Sequence, residues 1–340
     1  MAATIKDLSR ETGLGLATIS SYLNGGNVRE KNRIKIEEAI KTLNFAVNET
    51  ARNLKTNKSM TIGIIVPELK SNFFSNISSE IEDILRHHGY SVIISDCRTD
   101  VVREREVSQF FMRKRVDGII NAPVDYTGEH LRPFLDSGKP VVLIDRIIEQ
   151  LECDSISIDN VDAVRKAVYR MADNGHRIIG YIGCSQEKLY TASQRCQGYK
   201  LAMAERGLAF DESFIVETKG NVQSGHDACI ELLGKHPEIT AIIAANDETT
   251  VGCMVALNEL KIIVPNDISI LGFDYVDFAR ACPPGLDIVT QPNLEIARSA
   301  ADLMLRRLTG DVSPVENIIL STSLQEGRSV LNLNKAKKQH

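Results

Sequence analysis

Leu16, Ala17, Thr18, Ser20 and Ser21 put five short side chains on one stretch of this sequence. Groups of that size can approach base edges in the major groove of double-stranded DNA. The outer face of an ordinary helical hairpin has a similar composition, so the neighbouring residues must decide. Thr4 can cap a first helix, with Asp7 three residues on as a short capping box. Ile5 and Leu8 share one face of that helix. Ser9 is small where a second helix must cross, and Gly13 falls where the turn needs a positive φ. Leu14, Ile19 and Leu23 supply the apolar side of the second helix. The pattern predicts a helix-turn-helix with the five short groups outward and Asn24 at its end.

A third helix is expected from about residue 29 to 43, because Ile36, Ala39, Ile40 and Leu43 recur at helical spacing. They should close a three-helix core with Ile5, Leu8 and Ile19. Arg29, Lys31, Arg33 and Lys35 crowd its start, where they suit either phosphate contact or a solvated face. Residues 1–60 hold ten Lys/Arg and six Asp/Glu, an excess of +4, against −9 for the remainder and −5 overall. A basic head on an acidic body fits a protein that meets phosphate with one end. Residues 48–56 are too short and polar to hold a helix alone.

A second set of chemical groups lies just past the ends of short apolar runs. Val141–Ile144 leads to Asp145 and Arg146, 241–244 leads to Asn246 and Asp247, and 268–271 leads to Gly272, Phe273 and Asp274. The run 61–66 leads to Pro67 and then Phe73 and Phe74. Arg195 sits early in a helical stretch. Carboxylates, amides, guanidinium and aromatic faces together suit a polyhydroxylated small molecule. The same residues could instead cap helices or pack in a core, as Asp247 and Asp274 might do at helix starts.

These runs alternate with amphipathic stretches. Strands are expected at 61–66, 91–95, 118–120, 141–144, 155–158, 178–182, 214–217, 241–244 and 268–271. Helices are expected near 73–88, 101–114, 129–137, 160–174, 189–206, 222–235 and 247–260. The fold class is therefore α/β, with two doubly wound parallel-sheet subdomains behind the three-helix head. Such sheets place ligands beyond the carboxyl ends of their strands, and a cleft between two halves is a natural site.

No apolar run approaches a membrane span, and the polar N-terminus lacks a signal-peptide core, so a cytoplasmic protein is expected. The seven cysteines are scattered without a Cys-x-x-Cys pair and read as buried thiols. No phosphate-binding glycine loop, nucleophile elbow or metal-spaced histidines are present, so no cofactor, metal site or enzymatic activity is expected. His176 reads as structural. A transport solute-binding protein would fit the body but not the head.

The order of motifs resembles the lactose/galactose repressor (LacI/GalR) family of transcription regulators. The resemblance runs from Thr4 to about Gly327. It rests on Thr4-Ile5-Lys6-Asp7-Leu8, Ala17-Thr18-Ile19-Ser20, Leu23-Asn24-Gly25 and Asn48-x-x-Ala51-Arg52-x-Leu54, then Asp159-Asn160-Val161-Asp162-Ala163, Gly175-His176-Arg177, Arg195-x-x-Gly198-Tyr199, Asn246-Asp247-Glu248 and Gly272-Phe273-Asp274. It implies a head over residues 1–46, a hinge helix over 47–59 that folds on operator DNA, an effector and dimerisation domain over 60–332, and a basic tail over 333–340. The implied subdomains are about 60–158 with 291–321, and 159–290 with 322–332. Asn48, Ala51, Arg52 and Leu54 would meet the minor groove, with Leu54 wedged between base pairs. Arg195, Asn246 and Asp274 would line the effector pocket. The implied partners are a palindromic operator, a second copy of the chain, and a small-molecule effector, a sugar or sugar phosphate. A purine or a phosphorylated protein is the alternative.

The chain departs from the family pattern at four places. Gly15 and Ser21 replace the usual Ser and Arg or His of the head. Ser71-Asn72 replaces Asn-Pro before the two phenylalanines. Gly220 stands where many relatives carry an aromatic, so stacking on a sugar ring would fall to Tyr190, Phe273 or Tyr275.

Overall fold

The chain divides into two compact units, Met1–Ser59 and Met60–His340. A computed structural model describes residues 3–23, 26–45, 58–184, 189–274 and 276–336. Asn24, Asn48, Ala51, Arg52, Leu54, Tyr275 and most of the expected hinge helix lie outside the described residues.

The first unit holds α1 (Ile5–Thr12), α2 (Leu16–Leu23) and α3 (Glu30–Thr42). Thr4 caps α1 through a reciprocal box with Asp7, and Gly13 closes that helix at φ 67°. Ser9 does more than leave room: its Oγ donates to the Leu14 carbonyl at 2.7 Å and fixes the turn. Leu8, Ile19, Ile36 and Ala39 form the buried centre, flanked by Ile5, Leu14, Tyr22, Leu23, Ile40, Leu43 and Phe45. Each fully buried Leu or Ile adds about 2 kcal/mol, which a head this small needs.

The second unit contains two six-stranded sheets. In chain order its elements are β1 (Thr61–Val66), α4 (Asn72–His87), β2 (Ser91–Asp96), α5 (Val101–Lys114), β3 (Gly118–Asn121), α6 (Arg132–Asp136), β4 (Val141–Ile144), β5 (Asp154–Ile158), α7 (Asn160–Asp173), β6 (Ile179–Cys184) and α8 (Tyr190–Glu205). There follow β7 (Ile215–Thr218), α9 (Val222–Lys235), β8 (Ala241–Ala244), α10 (Asp247–Glu259), β9 (Ser269–Phe273), α11 (Val276–Ala281), β10 (Asp287–Thr290), α12 (Asn293–Leu308), β11 (Asn317–Leu320), β12 (Ser323–Gln325) and α13 (Leu333–Ala336).

The first sheet has the order β11-β5-β4-β3-β1-β2 and the second β12-β10-β9-β8-β6-β7. The two orders correspond strand for strand, so β4 and β9 occupy equivalent places. All pairings are parallel except β10 with β12. The strands are apolar on both faces because helices cover both, as in β1, where Ile62, Ile64, Ile65 and Val66 are fully buried. The chain passes between the sheets three times: before α7, between β10 and α12, and between β11 and β12.

Local chemistry shifts some expected boundaries. The helix expected over 129–137 is only Arg132–Asp136, because Pro133 opens it and Asp125 ties the preceding turn through Thr127. The strand expected at 214–217 begins at Ile215, because Asp211 caps a 3₁₀ turn over Glu212–Phe214. Five elements from α11 to β12 follow the last expected strand. Five of the seven cysteines are buried, but Cys184 and Cys282 are half-exposed, correcting a uniform buried reading. His176 bridges the Thr240 hydroxyl and the Leu331 carbonyl.

Candidate functional site

In the head, Leu16 is 45% exposed and Ala17 is also exposed, while Thr18, Ser20 and Ser21 are half-buried. Ala17 and Ser21 lie on the face of α2 opposite buried Ile19, while Leu16, three residues before Ile19, lies nearer to it. Ser21 is partly covered: its carbonyl accepts the Gly26 N–H at 2.8 Å, and a Cβ at Gly26 would lie 2.4 Å from its Oγ. Thr4 spends its hydroxyl on the Asp7 carboxylate at 2.7 Å. Arg33 is held by Glu30 at 2.6 Å and lies 3.7 Å from Glu37, so it meets a phosphate only by exchanging partners. Arg29 is exposed at the N-cap position of α3. The cations therefore divide, with Arg29 open and Arg33 already paired.

In the second unit, the equivalent strands β4 and β9 end in equivalent ways. Asp145 follows β4 with φ 65°, and Asp274 follows β9 with φ 68°. Left-handed backbone at a non-glycine residue costs free energy, and such residues gather at functional sites. The Asp145 carboxylate accepts from Arg146 Nε at 3.3 Å, and Arg146 Nη1 donates to the Pro123 carbonyl at 3.0 Å. Asp274 is bound once to β10 and once to the crossover that follows it. Its N–H donates to the Val289 carbonyl at 2.8 Å, and its Oδ2 accepts from Gln291 Nε2 at 2.8 Å. Its Oδ1 is buried with no hydrogen-bond partner among the described residues. Such an atom is costly unless something else satisfies it.

Burial pushes the Asp274 carboxyl up to about 7; Arg195 and Gln291 oppose the rise, and Asp247 and Asp145 reinforce it. Arg195 is buried on α8 in a fixed pose. Its Nε donates to Asn160 Oδ1 at 2.8 Å and its Nη1 to the Ala245 carbonyl at 2.7 Å. Its guanidinium carbon stands 4.0 Å from the Phe273 ring centre. Asn246 caps α10 by accepting from the Thr249 N–H at 3.2 Å, and its Nδ2 donates to the Gly220 carbonyl at 2.9 Å. A Cβ at Gly220 would come within 2.7 Å of Cys184 Sγ, so this place has no room for an aromatic ring as the pocket stands. Burial raises the Cys184 thiol pKa, against Arg195 and Arg146 and with Asp247 and Asp145. That both subdomains act on Cys184 and Asp274 places these charges around one cleft.

The structure thus brings Asp145, Arg195, Asn246 and Asp274 together. Phe73 and Phe74, at the start of α4, are buried in the apolar cluster that also holds Phe273, with ring centroids 5.0 Å from each other. The Arg146 guanidinium carbon lies 6.0 Å from the Phe74 ring centre. Phe273 cannot stack on a ligand, since it is fully buried beneath Arg195; Tyr190 remains half-exposed. Asn160, Gln291 and Cys184 were not singled out from the sequence. Asn160 had one signal: it follows Asp159 at a helix start, beside a crossover.

Comparison with known proteins bears on both units. A family model for a periplasmic binding protein-like domain matches residues 168–330. Catabolite control protein A of Priestia megaterium is 33% identical over 307 residues, covering 90% of this chain and 92% of that protein. The transcriptional repressor CytR of Escherichia coli is 31% identical over 314 residues, covering 91% of each. The crystal structure of the Lac repressor dimer bound to operator and an anti-inducer has the same fold. Its TM-score is 0.87 at 24% identity, over 97% of this chain and 100% of that one.

Proposed function

This chain belongs to the lactose/galactose repressor (LacI/GalR) family of transcription regulators, and on that premise we propose that it is a cytoplasmic, dimeric repressor, not an enzyme, released from or held on its operator by a small polyhydroxylated ligand. The paired strand-end aspartates carry the reading. Asp145 and Asp274 hold strained backbone at equivalent places in two sheets, with Arg195 pinned on the Phe273 ring next to Asp274 and one buried Asp274 carboxylate oxygen lacking a partner among the described residues. A sugar hydroxyl would satisfy that oxygen. Such a pocket suits an uncharged sugar, because Arg146 already has Asp145 as a partner and Arg195 is held by Asn160 and the Ala245 carbonyl, which leaves no free cation among these residues for a phosphate.

Leu16, Ala17, Thr18, Ser20 and Ser21 would read the major groove. Arg29 would contact phosphate, and Asn48, Ala51, Arg52 and Leu54 the minor groove. Dimerisation would use the outer face of the packed helices α9 and α10, on which Val222, Ile230 and Val255 are each 38–40% exposed. A two-fold pair of heads matches a palindromic site. The ligand must bind the operator-competent and incompetent states unequally to act at all.

The test joins two measurements on the full chain. Selection from random duplexes should return a palindrome, and Leu54→Ala should weaken binding to it about tenfold or more. A thermal-shift screen of neutral sugars, sugar phosphates and purines should find a stabilising ligand whose effect disappears in Asp274→Ala. No preferred duplex, or a ligand indifferent to Asp274, overturns the reading.

A further inference from the structure

Ser71 stands at the N-cap position of α4, where a serine hydroxyl usually accepts from the free N–H groups of its own helix. It makes no such bond. Its Oγ instead donates at 3.2 Å to Oδ2 of Asp247, the first residue of α10 in the second subdomain. Helix α8 shows the complementary arrangement. Leu189 offers it no side-chain cap, and the Tyr190 N–H donates at 3.1 Å to the phenol oxygen of Tyr126 in the first subdomain. At two helix N-termini, one on each side of the cleft, a donor thus crosses to the opposite subdomain: the Ser71 hydroxyl at α4 and the Tyr190 N–H at α8.

Both bonds flank the pocket, since Arg195 lies on α8 and Asn246 caps α10. Burial is the first cause raising the Tyr126 phenol pKa, and its bond to Tyr190 is half-buried. Closure also has an opposing contribution. Burial raises the Glu248 carboxyl pKa, and Asp247 and Glu68 raise it further, against Lys70. Glu68 and Lys70 belong to the loop before Ser71, so closing the cleft presses carboxylates together beside the Ser71–Asp247 bond. The hydrogen bonds and the crowded like charges thus act on closure in opposite directions.

We infer that Ser71–Asp247 and Tyr126–Tyr190 form a two-point latch that favours the closed arrangement of the two subdomains. The latch sets the ligand-free balance between closed and open forms, which any effector must then shift. This goes beyond the functional reading and does not depend on which ligand, if any, the cleft takes.

Hydrogen exchange on the full-length, ligand-free chain tests it. One typical hydrogen bond corresponds to about a fivefold change in an opening equilibrium. Ser71→Ala is expected to speed exchange of the Tyr190 amide about fivefold, although Tyr190 bonds to Tyr126 and not to Ser71. Tyr126→Phe is expected to speed the Thr249 amide, on the Ser71 side, by a similar factor. The Ile243 amide, inside β8, should keep its rate in both variants. An unchanged Tyr190 amide in Ser71→Ala overturns the latch. Equal acceleration at Tyr190 and Ile243 also overturns it, since the bond then serves global stability and not closure.

Discussion

The Arg195 guanidinium carbon lies 4.0 Å from the centre of the Phe273 ring, and Phe273 immediately precedes Asp274 on β9. The ring's electron-rich face therefore supports the cation while the same strand end presents the carboxyl that the cation acts on. Asn160 and the Ala245 carbonyl fix the other edges of the guanidinium. One arginine thus joins the start of α7, the end of β8 and the end of β9.

Phe273→Leu should release this pose. The substitution removes the ring face but keeps an apolar side chain, so loss of folding stability should stay near 1–2 kcal/mol. The affinity for a stabilising sugar from the screen should fall about tenfold, since Arg195 would have to be ordered on binding. Urea unfolding and calorimetric titration separate the two effects. Unchanged affinity would show that the Arg195 pose does not matter to recognition.

Asp274 gives the second unit a pH dependence of definite sign. Burial raises its folded pKa to about 7, above the usual carboxylate range it has when unfolded. The folded state therefore binds the proton more tightly. The associated stability is fully present below about pH 4 and is lost as pH rises through 7. Asp274→Asn should flatten that loss: its melting temperature should gain on the wild type between pH 5 and pH 8. A constant difference across that range would mean the carboxyl does not titrate there.

Helices α9 and α10 cross so closely that Gly252 has no room for a methyl group. A Cβ there would lie 2.2 Å from the Val222 carbonyl oxygen and 2.7 Å from the His226 amide nitrogen, both backbone atoms. Gly252→Ala should cost about 3 kcal/mol through forced separation of the helices. Chemical denaturation of the full chain measures this. If α9 and α10 also form the dimer surface, the variant should dissociate at higher protein concentration than the wild type.

Much of this molecule follows from short-range pattern. Helical spacing of Leu8, Ile19, Ile36 and Ala39 predicts the head core, and unbroken apolar runs such as 61–66 predict strands covered on both faces. Strand-end reasoning reached Asp145, Asn246 and Asp274, because ligands collect where parallel strands stop. It also named Phe73 and Phe74, whose rings are buried in the same apolar cluster as Phe273, and Phe273 itself is covered by Arg195.

Residue order and periodicity by themselves determined the helix-turn-helix, the two wound sheets and the strand-end aspartates, because each depends on neighbours a few positions away. Tertiary structure alone decided that Asn160 and Phe273 hold Arg195, that Gln291 binds Asp274 from a crossover, and that Ser71 leaves its own helix uncapped to reach Asp247. Those partners lie from 17 to 176 positions apart. Contacts at that separation are set by how elements distant in the chain pack within a subdomain and, for Ser71 with Asp247, across the cleft, and no local spacing in the chain encodes that packing.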